Sequence, residues 1–183
     1  MKKILFILCI ALHFSVFSQP KYLTQEGIIS FEASVPSFEE VAATNNTVTA
    51  ILNAQNGEIA ALAFVKGFRF KNALMEEHFN ENYAESDEFP KALFKGILLD
   101  FDVDQINETT KSFVLNGELE FHGKIKQYES IEVEIVGHGE QLHLSGEFEA
   151  NVTDFDIKIP KIVSSKVRDK VTVKIDLVLS KRN

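Results

Sequence analysis

The run FVKGFRFKNALMEEHFNENYAESDEFPKALFKG, residues 64–96, changes its apolar period twice. Phe68 and Phe70 alternate with basic residues, which is the two-residue period of a half-buried strand. From residue 74 the period lengthens to that of one side of a helix of about three turns. The residues on that side are Leu74, Met75, His78, Phe79, Asn82 and Tyr83. Pro90 cannot continue a helix, and alternation resumes after it. The run therefore predicts a strand, a short helix, an acidic loop and a strand.

The remainder of the chain alternates in the same way and predicts about eight strands, hence an all-β barrel or sandwich. Asn56-Gly57 is a strong hairpin signal, and it joins one of these strands to a predicted strand over 58–70. Long strands and the inward glycines Gly96, Gly117 and Gly146 favour the barrel, because a glycine eases a coiled bend or leaves room for a ligand. We expect an eight-stranded antiparallel barrel whose first and last strands are adjacent. We also expect Ile29, Phe31, Val173 and Ile175 to be buried.

Residues 1–18 have the pattern of a secretory signal peptide. Lys2 and Lys3 precede an apolar run that is too short to span a bilayer, although a retained N-terminal anchor is the alternative. Cleavage before Gln19 would remove Cys9, the only cysteine, and with it disulfides and thiolate chemistry. We therefore predict one exported domain over residues 19–183, periplasmic or secreted, with no integral membrane segment.

Composition excludes some partners of that domain. The net charge of −8 becomes −10 when the two signal lysines are lost, and such a surface repels nucleic acid and anionic lipid headgroups. Of the 16 phenylalanines, 13 lie after residue 18, so the interior is unusually rich in Phe. Composition alone does not separate a filled barrel from a lined tunnel.

Few residue patterns point to catalysis or metal binding. The acidic run 76–88 matches no calcium-loop pattern, and we interpret it as a solvated helix side and loop. Asp100, Asp102 and Asp104 are interpreted as a strand end beside a polar turn. No metal-ligand histidine spacing and no Gly-x-Ser-x-Gly motif occurs, so we predict no cofactor, no metal and no enzyme activity.

His78 is the histidine that leaves two readings open. The helix period places it on the apolar side beside Phe79. It is either a histidine at the edge of the core, bonded to a backbone carbonyl, or a polar contact for a ligand headgroup at the barrel mouth.

Four segments resemble one family. They are NALMEEHFNENYAESDEFPKALFKG (72–96), GIISFEASVP (27–36), GELEFHG (117–123) and DFDIKIPKIVSSKV (154–167). They resemble the YceI-like family in the version common among Bacteroidota. The resemblance implies a lipocalin-like barrel that holds a long isoprenoid-type lipid in an apolar tunnel, in a periplasmic or secreted protein that is not an enzyme.

The leading hypothesis is therefore a lipid-binding barrel for a polyisoprenoid, a quinone or an acyl chain, as a monomer or a homodimer. The alternatives are a cavity hydrolase or isomerase using His78 with Glu77 or Glu81, and a packed structural barrel without a ligand. We expect Leu74, Met75 and Phe79 to pack over the barrel opening, with Glu76, Glu77 and Glu81 in solvent. The predicted ligand-binding residues are Phe31, Phe68, Phe70, Leu74, Met75, His78, Phe79, Tyr83, Phe94, Leu98, Phe113, Leu115, Phe121 and Phe148.

Overall fold

The computed structural model describes residues 20–36 and 38–182. The predicted signal peptide over residues 1–18, with Cys9, lies outside the described residues. The predicted domain is therefore seen from its second residue onwards.

The described chain is built mainly of antiparallel strands. Their bounds are β1 (Lys21–Ser34), β2 (Ala42–Asn53), β3 (Glu58–Phe64), β4 (Arg69–Phe70), β5 (Lys91–Leu98), β6 (Lys111–Phe121), β7 (Lys124–His138), β8 (Gln141–Asn151) and β9 (Val167–Arg182). The order β1-β9-β8-β7-β6-β5-β3-β2 returns to β1 through β1–β2 pairing, so the sheet closes. β4 adds two residues to β2 beyond the end of β3. The predicted eight-stranded antiparallel barrel is confirmed, and so is the adjacency of β1 and β9.

The predicted strand over 58–70 is interrupted, which the alternation did not reveal. A short 3₁₀ turn, Val65–Gly67, separates β3 from β4. Asn45 of β2 is buried here, and its side-chain amide donates to the carbonyl of Phe64 at 3.0 Å. Gly67 packs so closely on Asn45 that a side chain at this position would overlap it. Residues 44–47, a polar stretch that is typical of a turn in the sequence, are instead part of β2.

Helix α1 (Ala73–His78) is shorter than predicted and continues as a π-helical turn, Phe79–Tyr83. Asn72 caps α1, because its side-chain oxygen accepts from the backbone N–H groups of Leu74 and Met75. A π turn has more residues per turn than an α-helix, so it shifts the phase of the side chains that follow. The segment crosses one end of the barrel, where β1, β3 and β6 end.

The opposite end of the barrel is closed by the loop 99–110. Phe101, Val103 and Ile106 of this loop pack against the main core. Asp102 accepts hydrogen bonds from the backbone of Asp104 and the side chain of Gln105, so it caps a turn in this loop. One end of the barrel is therefore plugged and the other is crossed only by α1 and neighbouring loops.

Candidate ligand-binding cavity

The barrel encloses an apolar cavity of about 390 Å³. This volume lies within the range of roughly 300–1,000 Å³ that is usual for small-molecule sites. At its deep end the cavity is lined by buried side chains such as Leu115, Leu144 and Leu177. At the end crossed by α1 its lining is exposed, namely at Phe38, Glu39, His78, Lys166 and Arg168. The cavity therefore opens at one end, and we call these five residues the mouth.

Small side chains on two neighbouring strands leave the space. Ala61 and Ala63 of β3 and Ala92 of β5 all face the cavity. Ala61 pairs with Phe94, and Ala63 pairs with Ala92. Because alternate residues of a strand share a face, these alanines make one thin stretch of wall.

Two of the inward glycines, Gly96 and Gly117, allow close packing and do not leave open space. Gly96 and Gly117 are paired across β5 and β6. The ring of Phe94 lies against both, and a side chain at either glycine would overlap that ring or the backbone. The pair therefore provides a flat seat on which an aromatic ring of the cavity wall rests.

Four phenylalanine rings form one cluster in the wall beneath α1. The ring centroid of Phe31 lies 5.3 Å from that of Phe68, 5.7 Å from Phe70 and 5.4 Å from Phe79. Phe79 also lies 5.2 Å from Phe70 and 6.1 Å from Phe68. These separations are typical of edge-to-face and tilted aromatic pairs. The cluster fixes the helical segment to β1 and β4.

The helical segment, which is α1 together with the π-helical turn Phe79–Tyr83, lines the cavity with fewer residues than the sequence predicted. Met75, His78, Phe79 and Tyr83 line the cavity. The prediction that Leu74 packs over the opening is wrong, because Leu74 is 57% exposed. Met75, Phe79 and Tyr83 are spaced by four residues and set the docked side, and Leu74 lies about 100° around the helix from Met75.

Glu76 is not in free solvent as predicted. Its carboxylate accepts from the guanidinium of Arg69 at 2.8 Å and from the backbone N–H of Phe70 at 3.1 Å. It therefore ties α1 to β4, whereas Glu77 and Glu81 are exposed as expected.

Eleven of the predicted ligand-binding residues line the cavity. They are Phe31, Phe68, Phe70, Met75, His78, Phe79, Tyr83, Phe94, Leu115, Phe121 and Phe148. Leu74, Leu98 and Phe113 do not. Leu98 is buried in the core, and the ring of Phe113 packs on Phe101 at 5.7 Å. Both side chains point into the barrel but lie toward the plugged end, beyond the cavity.

The expectation that four residues on the first and last strands are buried is also corrected. Ile29, Phe31, Val173 and Ile175 are only partly buried, and all four line the cavity. Their pairing is as expected, with Phe31 opposite Val173 and Ile29 opposite Ile175. They are accessible because they border open space instead of packed side chains.

The segment between β8 and β9 contributes wall residues that the strand pattern missed. These are Val152, Phe155, Ile157, Ile159 and Val163. Phe155 and Ile157 are buried, and Phe155 packs on Phe121 at 5.7 Å. The alternation of apolar and polar residues over 155–159 was the available signal, but Pro160 ends it after five residues.

His122, which follows the end of β6, holds this segment to the acidic loop. Its ring nitrogens contact the carbonyl oxygen of Phe155 at 2.8 Å and the carboxylate of Glu85 at 2.7 Å. Nearby, the ammonium of Lys124 lies 2.6 Å from Asp156 and holds the pKa of that carboxyl below its ordinary value. Glu85, His122 and Asp156 all have positive φ angles, of 43°, 49° and 58°. This strained cluster fixes loops around the cavity end.

Polar chemistry inside the cavity is sparse. Besides the charged mouth residues and His78, Tyr83 is the only polar side chain in the lining that the structure describes. Within residues 20–36 and 38–182, His78 makes no side-chain hydrogen bond or ion pair, and Glu77 and Glu81 are exposed. No group of three or more His, Cys, Asp or Glu side chains in those residues could hold a metal ion. The cavity can therefore hold an apolar chain.

No helix in the described part of the chain has the length and apolar character needed to cross a membrane.

Comparison with known proteins agrees with this architecture, a lipocalin-like barrel around an apolar cavity. The structure is similar to a polyisoprenoid-binding domain from Saccharophagus degradans implicated in plant cell wall breakdown, with a TM-score of 0.75 at 9% identity, over 88% of this chain and 98% of that one. It is also similar to Burkholderia cenocepacia BcnA, with a TM-score of 0.68 at 16% identity, over 82% and 95% of the two chains. For the YceI protein of Campylobacter jejuni the TM-score is 0.64 at 13% identity, over 81% and 90%. No curated protein matches the chain by sequence.

The YceI-like domain family matches residues 23–179. The chain therefore belongs to the YceI-like domain family, as the segments quoted above indicated.

Proposed function

We propose that this protein is an exported carrier that encloses the apolar chain of a lipid in its barrel. The observation that carries the proposal is the cavity itself, which is apolar along its walls, closed at the deep end and open at the mouth. A packed structural barrel would have its inward residues buried, whereas Phe31 and Val173 are accessible from within.

The energetics of such a cavity suit a long apolar ligand. Each buried methylene contributes about 0.8 kcal/mol, so a buried stretch of ~10 carbons offsets the cost of association. The cavity wall has few polar groups, so nothing along it would stabilise polar groups in the chain of the ligand. A polyisoprenoid, a quinone tail and an acyl chain all meet this requirement.

The similar domain from Saccharophagus degradans is described as polyisoprenoid-binding, and this supports a polyisoprenoid as the first candidate here. Family membership supports binding over catalysis. The cavity is complete within one chain, so the proposal requires neither a cofactor nor a homodimer.

Export rests on the sequence of residues 1–18, with its two lysines, short apolar run and small residues before Gln19. It places the carrier in the periplasm or outside the cell. A mature protein that begins at Gln19 by mass spectrometry would support this part of the proposal, and retention of residues 1–18 would contradict it.

The test of binding is solvent extraction of the protein purified from its native host, followed by mass spectrometry. We expect one apolar compound in stoichiometric amount, absent from the same protein after unfolding, delipidation and refolding. Protein that is folded but yields no such compound would contradict the proposed function.

A further inference from the structure

The mouth carries two positively charged side chains. Lys166 and Arg168 both line the cavity and are exposed. In the part of the chain that the structure describes, no ion pair or side-chain hydrogen bond engages either charged group. Six other basic side chains, such as Lys66, Lys124 and Lys170, are paired with carboxylates. Other cations without an ion pair among the described residues, such as Lys174 and Lys181, do not line the cavity, so Lys166 and Arg168 differ from them by their place at the mouth. The two charges at the mouth are therefore available to a ligand.

Two carboxylates on the same rim, Glu39 and Glu40, already have partners. Glu39 lines the mouth and accepts a hydrogen bond from the side-chain amide of Asn72 at 3.0 Å. Its neighbour Glu40 forms an ion pair with Lys71. The hydrogen bond from Asn72 leaves Glu39 charged, so the mouth has two cations and one carboxylate, a formal charge of +1 with His78 counted as neutral.

The local sequence strengthens this charge. Residues 158–170 hold five basic residues and one acidic residue, although the chain as a whole has a net charge of −8. Charges on the distant surface are screened beyond about 8–10 Å at physiological salt, so the nearby cations dominate at the mouth. The repulsion of anionic headgroups expected from net charge therefore applies to the surface at large and not to this opening.

The shape of the cavity would leave the polar end of a bound lipid at the mouth. The deep end is plugged by the loop 99–110, so a chain enters with its apolar tail first. The opening that remains for its headgroup is bordered by Glu39, His78, Lys166 and Arg168. A guanidinium presents a planar fork of N–H donors that fits a phosphate or a carboxylate, and an ammonium adds three more donors.

We propose that the mouth binds an anionic lipid headgroup, a phosphate or a carboxylate, through Lys166 and Arg168. This inference rests on the proposed function and narrows its ligand class from any apolar chain to an acidic amphiphile. His78 adds a ring nitrogen to the same opening.

The test compares three probes on the mature chain: a polyprenyl phosphate, the neutral polyprenol of equal length, and palmitate. The test variant is Lys166→Ala/Arg168→Ala. The control is Lys174→Ala/Lys181→Ala, which removes two exposed cations from β9 away from the cavity. We expect the test variant to bind the phosphate about tenfold or more weakly, since charge-assisted hydrogen bonds are lost, while the control and the polyprenol affinity stay within twofold.

The outcomes separate the headgroup inference from the proposed function. Weaker binding of both phosphate and palmitate supports a general anionic headgroup, and weakening confined to one probe supports that headgroup chemistry. Equal loss for phosphate and polyprenol, or the same loss in the control, overturns the inference and leaves the carrier function standing. If the wild type binds none of the three probes and yields no lipid on extraction, the carrier function itself fails.

Discussion

Replacement of Phe79 by alanine tests whether this ring belongs to a cavity wall or to an ordinary packed core. The Phe79 ring lines the cavity and packs against Phe31, Phe68 and Phe70. Truncation of a fully buried Phe costs about 3–5 kcal/mol, part of which comes from the new void. At position 79 the ring already borders a void and is partly exposed. Its truncation therefore adds little new void and costs mainly the free energy of burying the ring, and we expect a loss of about 1–2 kcal/mol in the free energy of unfolding.

The same change should weaken lipid binding. A ligand in contact with one ring face buries roughly 50 Å² there, which at about 25 cal/mol per Å² is ~1.3 kcal/mol, or close to tenfold in affinity. The assay is a urea unfolding curve and a lipid-binding isotherm on the same variant.

Two further alanine variants act as matched controls. Phe113→Ala removes a partly buried ring near the plugged end and should lower stability by about 2–4 kcal/mol with lipid affinity unchanged. Leu74→Ala removes an exposed side chain and should change neither quantity beyond about 0.5 kcal/mol. A loss of about 4 kcal/mol for Phe79→Ala with unchanged affinity would show that the helical segment is a plug and that Phe79 belongs to ordinary packed core.

Two other predictions concern the barrel wall. Gly117→Val should destabilise the protein by about 1–3 kcal/mol and weaken lipid binding, because the new side chain overlaps the Phe94 ring and the neighbouring backbone; urea midpoints that match wild type would contradict this. Tyr128→Phe should stabilise by about 1 kcal/mol at pH 7, because the buried hydroxyl has no partner among the described residues. Burial raises the pKa of Tyr128 to about 12. Below the ordinary pKa near 10 the tyrosine is neutral in both the folded and the unfolded protein, so its titration does not change stability there. As pH rises from 10 toward 12 only the unfolded protein ionises, so the wild type loses stability. Urea unfolding of both proteins between pH 7 and 11 should show the advantage of the variant growing above pH 10, and a constant difference would contradict the pKa.

The sequence predicted the barrel and most of its inward faces, because a strand that is half buried repeats every two residues. Phe31, Phe94 and Phe148 were placed correctly for this reason. The period does not say how far along the barrel a residue lies. Leu98 and Phe113 face inward but lie toward the end that the loop 99–110 closes, and that closure depends on tertiary packing.

Irregular segments were predicted less well. The break at Val65–Gly67 depends on the buried side chain of Asn45, which is distant in sequence and looks like part of a turn. The wall formed by Phe155 and Ile157 has no strand partner, so the alternation there was a weak signal. The charged mouth was missed because net charge was counted over the whole chain, whereas Lys166 and Arg168 act locally.

We propose that a lipid chain occupies the cavity, and a variant that fills the cavity should therefore lose the lipid. Ala61 and Ala60 are neighbours on β3, but only Ala61 lines the cavity. Native mass spectrometry of residues 19–183 incubated with a polyprenyl phosphate should show one bound lipid for wild type and for Ala60→Trp, and none for Ala61→Trp. Folding of each variant is checked by circular dichroism. A folded Ala61→Trp variant that still binds one lipid per chain would contradict the claim.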